Sequence, residues 1–141
     1  MNDVNYTRAG IAVALSLLLA ACAGLPYAPV KYSNGLMTGA NGMTLYTFDK
    51  DAIGSGKSVC NGQCATNWPP FMAASTDRSG GDWTIVTRDD GSKQWAWSGQ
   101  PLYYWAKDQK PGDMTGDGFN KVWHAVRPPP PDYSSGSMNG P

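Results

Sequence analysis

Glutamate is absent: all eleven acidic residues are aspartates. One histidine stands in the whole chain, and eleven Lys plus Arg leave a net charge of zero. Glutamate favours helix interiors, whereas aspartate, glycine and proline favour caps and turns. With seventeen glycines and eleven prolines, the composition excludes a helical bundle or coiled coil. The missing basic surplus argues against nucleic acid as a partner. One histidine without glutamate removes most general acid–base and metal-site designs. No apolar run reaches the ~20 residues that a membrane-spanning helix needs. The longest, Ala9–Ala21, has thirteen small or apolar residues.

That run has the length of a secretory h-region, with Arg8 before it and Leu15 and Leu17–Leu19 at its centre. Residues 1–21 read as a signal peptide. The run ends in Leu19-Ala20-Ala21-Cys22, which resembles a bacterial lipobox. The resemblance implies that Cys22 opens the mature chain, carries diacylglycerol on its sulfur and is acylated on its amine. Two or more acyl chains anchor a protein stably to a membrane. Ala23, rather than aspartate, follows the cysteine. By resemblance to Gram-negative lipoproteins this favours the outer membrane, facing periplasm or surface, if the source has one. An ordinary secreted protein cleaved near Ala21 is the alternative.

Cleavage leaves 120 residues, enough for one modest domain. Residues 22–29 then form a lipidated linker. Export also removes half of the leucine: the mature part keeps eleven branched aliphatics against fifteen aromatics. Its core must be built from rings, each burying ~150–250 Å². Cys60 and Cys64 reach an oxidising compartment, so a disulfide is expected. Their spacing fits neither haem attachment nor a thioredoxin-type pair. Zinc would need two further ligands.

The sequence matches itself at an offset of 57 residues. Leu45-Tyr46-Thr47-Phe48-Asp49-Lys50-Asp51 falls on Leu102-Tyr103-Tyr104-Trp105-Ala106-Lys107-Asp108. Turn dipeptides precede both copies, Asn41-Gly42 and Ser98-Gly99, and Trp68 and Trp123 follow them. The chain therefore reads as an internal duplication, copy one at about 30–72 and copy two at about 83–127. The expected strands are Val30–Ser33, Leu36–Gly39 and Met43–Phe48, then Trp83–Arg88, Lys93–Trp97 and Pro101–Ala106. Val122–Val126 is a returning strand, and Trp68-Pro69-Pro70-Phe71 holds the same place in copy one. Its prolines donate no ladder hydrogen bonds, which predicts an edge or an extended loop. Cys60–Asn67 has room for one helical turn, and Ala73–Gly81 is a linker. The fold class is all-β: two pseudo-repeats of short antiparallel meanders with an aromatic-rich core and little helix. Residues 128–141, rich in Pro, Ser and Gly, have nothing to bury.

Period-two spacing puts Tyr46 with Phe48, and Tyr103 with Trp105, on shared strand faces. Asp51 and Asp108 lie past the strand ends, where a carboxylate accepts backbone N–H groups and fixes the next loop. These residues read as core plus loop cap, or else as an aromatic and carboxylate platform for a ligand.

The doubled Tyr-x-aromatic-x-x-Asp motif, with Cys60, Cys64-Ala65, Trp68-Pro69-Pro70, Gly112-Asp113, Gly116 and Trp123-His124, resembles a known family. It is the bacterial lipoproteins with a Tyr-x-(Phe/Trp/Tyr)-x-x-Asp motif, also called the secreted repeat of unknown function. The resemblance covers about Val30–Arg127. It implies architecture, export and a non-enzymatic envelope role, but no catalytic residues.

Other chemistry is weakly signalled. His124 sits in an apolar strand beside Trp123. With Asp113 and Asp117 it is the candidate metal set. Asp108, Asp113 and Asp117 among glycines suggest calcium, yet no Asp-x-Asp-x-Asp-Gly pattern with a closing glutamate occurs. Dispersed methionines suggest ring-packing rather than copper. Two aspartates could run glycoside chemistry, but short strands imply no cleft. No Gly-x-Ser-x-Gly elbow marks a hydrolase. The expectation is a membrane-anchored, non-enzymatic binding or structural module without a cofactor. Its partner is another envelope protein or a glycan. The alternative is a metal- or redox-handling periplasmic accessory.

Overall fold

Turn chemistry sets the local elements. Asn34 and Gly35 both adopt positive φ (52° and 74°), as do Ser98 and Gly99 (48° and 78°). Two consecutive left-handed residues match the twist of the flanking strands and close tight hairpins. The first turn joins β1 (Val30–Ser33) to β2 (Leu36–Gly39), and the second joins β5 (Lys93–Trp97) to β6 (Gln100–Pro101). β3 (Tyr46–Phe48), α1 (Gln63–Asn67), β4 (Trp83–Thr87) and β7 (Trp123–Ala125) complete the chain, with a 3-10 turn at Phe119–Lys121. The structure, a computed structural model, describes residues 28–128. The signal segment, Cys22 and the tail beyond Pro128 lie outside the described residues. No helix among the described residues is long and apolar enough to cross a membrane. The all-β class holds: antiparallel strands around an aromatic core, with one short helix.

The third strand of each copy is shorter than the pattern at Met43–Phe48 and Pro101–Ala106 predicts. Regular pairing covers only Tyr46–Phe48 and Gln100–Pro101. The cause is a change of neighbour. Leu45 N–H still bonds to Met37 of β2, but Tyr46 bonds to Tyr103. Likewise Leu102 N–H bonds to Trp95 of β5, whereas Tyr103 N–H bonds to Tyr46.

This switch interlocks the copies. Tyr46 and Tyr103 exchange both backbone hydrogen bonds, at 2.8 and 3.0 Å, across the equivalent position of the two motifs. On the far side of Tyr46 lies β7, from copy two, in the register Tyr46↔Ala125 and Phe48↔Trp123. On the far side of Tyr103 lies the copy-one segment 69–71, through the bridge Pro70↔Tyr103. Each return segment therefore completes the other copy's meander. The bonds match one for one. Val126 N–H to Leu45 (2.9 Å) corresponds to Phe71 N–H to Leu102 (2.8 Å). Asp49 N–H to Val122 corresponds to Ala106 N–H to Asn67, both 2.9 Å. A local two-fold relation thus passes between Tyr46 and Tyr103. The prolines of 69–71 fit because Pro69 is used as an acceptor, from Tyr104 N–H, and Phe71 supplies the donor.

Alternation along this central ladder feeds two cores. Leu45, Leu102, Phe71 and Val126 join Met37, Trp83 and Trp95 on one side. Tyr46, Phe48, Tyr103 and Trp105 join Trp68 and Trp123 on the other. There four rings form one column, Phe48–Trp123–Trp68–Trp105, with centroids 4.1, 3.8 and 4.0 Å apart. The two return-segment indoles at its centre are parallel within 3°. Gly116 closes the column's side: a β-carbon there would sit 2.7 Å from Trp68 Cη2 and 3.0 Å from Trp105 Cγ. Gly116→Ala should therefore cost ~1–3 kcal/mol by overpacking, read as a lowered urea midpoint with an unchanged m-value.

Candidate functional site

The six motif residues are all buried and meet at the interlock. The aspartates reach across it. Tyr46 Oη donates to Asp108 Oδ2 at 2.6 Å, and Tyr103 Oη donates to Asp51 Oδ2 at 2.5 Å. Each aspartate also holds its own loop. Asp51 Oδ1 accepts from Val59 N–H at 2.7 Å, and Asp108 Oδ1 accepts from Thr115 N–H at 2.9 Å and Thr115 Oγ1 at 2.6 Å. The loop-fixing role is the one the sequence suggested; the bond to the other copy's tyrosine is not visible at the level of one repeat. Burial, then the facing carboxylate, pushes both tyrosines far above the ordinary phenol range, so they remain neutral donors.

Copy two supplies a buried cation to the loop of copy one. Val86 and Arg88, two apart, point to one side, so Arg88 follows a core residue inward. Its guanidinium donates to Ser58 Oγ (3.0 Å), Gln94 Oε1 (2.7 Å) and the Cys60 carbonyl (2.6 Å). Tyr103 gives its only proton to Asp51, so Ser58 donates to Tyr103 Oη across their 2.7 Å contact. The result is a directed relay, Arg88 to Ser58 to Tyr103 to Asp51. Gln94 extends it by donating to the Leu102 carbonyl at 2.7 Å. The Cys60–Cys64 disulfide is formed and staples the loop that this relay holds.

Desolvation raises the Asp51 pKa above its ordinary value, against the lowering effects of Tyr103, Val59 N–H and Arg88. A carboxyl with a raised folded-state pKa holds its proton more tightly when folded than when unfolded. Stability then falls as pH rises from the ordinary value of 3.8 through the raised one. Asp51→Asn lacks this slope. The stability advantage of the natural protein over Asp51→Asn should therefore be largest at low pH, shrink above pH 3.8 and then level off. Urea melts of both proteins across that window check it.

The three candidate metal ligands are not brought together. His124 Nε2 lies 2.8 Å from Asp49 Oδ2 on the exposed side of the β3–β7 pair. Asp113 accepts from the Gln109 and Lys110 backbone N–H groups and from Lys110 Nζ, which hold its pKa down. Asp117 accepts from Arg127 Nη2 and Ala125 N–H at 2.8 and 2.9 Å, and Arg127 keeps its carboxyl below the usual range. Among the described residues no three His, Cys, Asp or Glu side chains converge.

The accessible feature is a groove. The β1–β2 hairpin of copy one stands against the open end of the β4–β5 ladder of copy two. Between them lies a cavity of about 650 Å³, lined by Tyr32, Asn34, Asp82, Trp83, Trp97 and Pro128 and mainly apolar. Gly35, Gly80 and Gly81 leave stretches of its wall without side chains. Trp83 and Trp97 are register partners with rings 6.5 Å apart, and Trp83 also packs edge-on against buried Trp95 at 5.9 Å. Trp97 is only partly buried, and Tyr32 is 54 % exposed. The groove escaped the sequence reading because it joins residues of both copies that lie some 50 or more positions apart. The signal available was the Trp95–Trp97 spacing, which puts a second ring on the core face of β5 at its end, where burial is only partial.

Fold and motif together define a class: a β protein of two interlocked copies, with the motif at the lock. The chain belongs to the family described as secreted repeat of unknown function, whose model matches it twice, over residues 30–72 and 84–127. No curated protein and no solved structure is significantly similar to it.

Proposed function

We propose that this protein is a lipid-anchored, non-enzymatic binding module of the cell envelope. It is tethered through Cys22 and engages another envelope protein through the groove. The observation that carries the reading is where the aromatic surface lies. Trp68, Trp83, Trp95, Trp105 and Trp123 are buried, whereas Trp97 and Tyr32 line one cavity together; Phe119, also exposed, packs against Trp68 and Trp105 instead. Accessible aromatics in a concave site are the usual anchors of a binding surface. Mainly apolar walls favour a protein segment over a glycan. The motif carboxylates are committed to tyrosines and loops, which supports a positional rather than a catalytic role. Export is consistent with a family described as secreted.

The test is photo-crosslinking in native membranes from p-benzoylphenylalanine at position 82, on the groove's rim. An adduct with one envelope protein, lost in Trp97→Ala, is expected. Self-adducts alone, or an adduct indifferent to Trp97→Ala, would refute the groove. Cys22→Ala should move the protein to the soluble fraction; retention in the membrane would refute the anchor.

A further inference from the structure

We propose that the groove is a polyproline-docking site and that its resident occupant is this chain's own segment Pro129–Pro131. The inference rests on the groove being a binding surface, and adds what fills it. The described chain ends at Pro128, which already lines the cavity with Trp83, Trp97 and Tyr32. The next three residues are also proline. Four consecutive prolines are pre-set for the polyproline II conformation, rising ~3.1 Å per residue. Three more residues span ~9 Å in that conformation, and the cavity that Pro128 lines has a volume of about 650 Å³. Aromatic-lined grooves are the established receptors for this conformation, because a stiff ligand loses little entropy on binding. The bare walls at Gly35, Gly80 and Gly81 give such a ribbon room for close approach. Covalent attachment one residue away makes docking intramolecular, at millimolar effective concentration. A free proline-rich peptide is then the matching competitor for the same surface.

The test uses the full-length protein labelled with 5-fluorotryptophan, whose resonances are assigned with Trp83→Phe and Trp97→Phe. Replacing Pro129→Gly, Pro130→Ser and Pro131→Gly together should shift the Trp83 and Trp97 signals and leave those of Trp68, Trp105 and Trp123 in place. Adding the peptide Pro-Pro-Pro-Pro-Asp-Tyr to that variant should return them, and less readily in the natural protein. Unchanged Trp97 signals in the variant, or a peptide that moves nothing, would overturn the proposal. If the signals do not move while Trp97→Ala still abolishes the envelope adduct, self-docking fails and the groove stands. If they move as expected while the adduct ignores Trp97→Ala, the segment docks but the partner reading fails.

Discussion

Trp123→Ala should cost about 3–5 kcal/mol, the range for truncating a buried aromatic that the surroundings cannot refill. Trp123 is 3 % exposed and sits inside the column, stacked on Phe48 at 4.1 Å and on Trp68 at 3.8 Å. It also meets Tyr103 edge-on at 5.1 Å. Ring pairs of this kind add ~0.5–1.5 kcal/mol each beyond the area they bury. The hole would open where rings from both copies touch, in a cluster whose branched aliphatics are only Leu36 and the partly buried Val122. With eleven branched aliphatics in the mature part, the core has little else to rearrange. Small domains have ~5–15 kcal/mol in total, so the variant should be largely unfolded at physiological temperature. Urea titration followed by near-ultraviolet circular dichroism checks it. Trp97→Ala, at the groove, should cost far less by the same measurement.

Arg88→Ala should be nearly as damaging, also about 3–5 kcal/mol, the penalty for breaking a buried charged network on one side. Four acceptors lose this donor: Ser58 Oγ, Gln94 Oε1, the Cys60 carbonyl and Asn61 Oδ1. Each buried orphan costs ~1–3 kcal/mol. Asp51 loses the cation that favours its charged form, which raises its pKa further. Arg88→Lys should recover only part, because an ammonium cannot span four acceptors as the planar fork does. The damage should centre on the copy-one loop that Arg88 holds from copy two. Hydrogen exchange should accelerate first at Val59 and Cys60, and later at Thr115. In copy two the loop is held by Asp108 with Thr115, and Arg127 pairs at the surface with Asp117.

Much of the architecture was legible because it is local or repeated. Asn34-Gly35 and Ser98-Gly99 carry their turn type in their residue identities. The offset between Tyr46 and Tyr103 exposes the duplication, and period two predicts that Tyr46 and Phe48 face one side. Asp51 and Asp108 were readable as loop caps from their place past a strand. What was hidden is non-local. A repeat shows that Trp68 and Trp123 are equivalent. It does not show which copy each serves, since either return segment carries the pattern that either meander needs. The exchange therefore left no mark in the spacing. The strands at Met43–Phe48 and Pro101–Ala106 came out short for the same reason, because they change partners midway. Arg88 was passed over because a charged residue at a strand end ordinarily faces water. Gln94, Ser58, Asn61 and the Cys60 carbonyl, contributed by separate segments, make its burial tolerable.

A pair of double-mutant cycles tests the interlock most directly. Tyr46 and Asp108 come from different copies and are hydrogen-bonded, whereas Tyr46 and Asp51 share a copy. With Tyr46→Phe combined with Asp108→Asn, and separately with Asp51→Asn, the exchanged fold predicts a coupling energy of about 1 kcal/mol or more for the cross-copy pair. For the same-copy pair it predicts a value within about 0.5 kcal/mol of zero. Strong coupling between Tyr46 and Asp51, with none between Tyr46 and Asp108, would mean that each copy closes on itself, and would contradict the account.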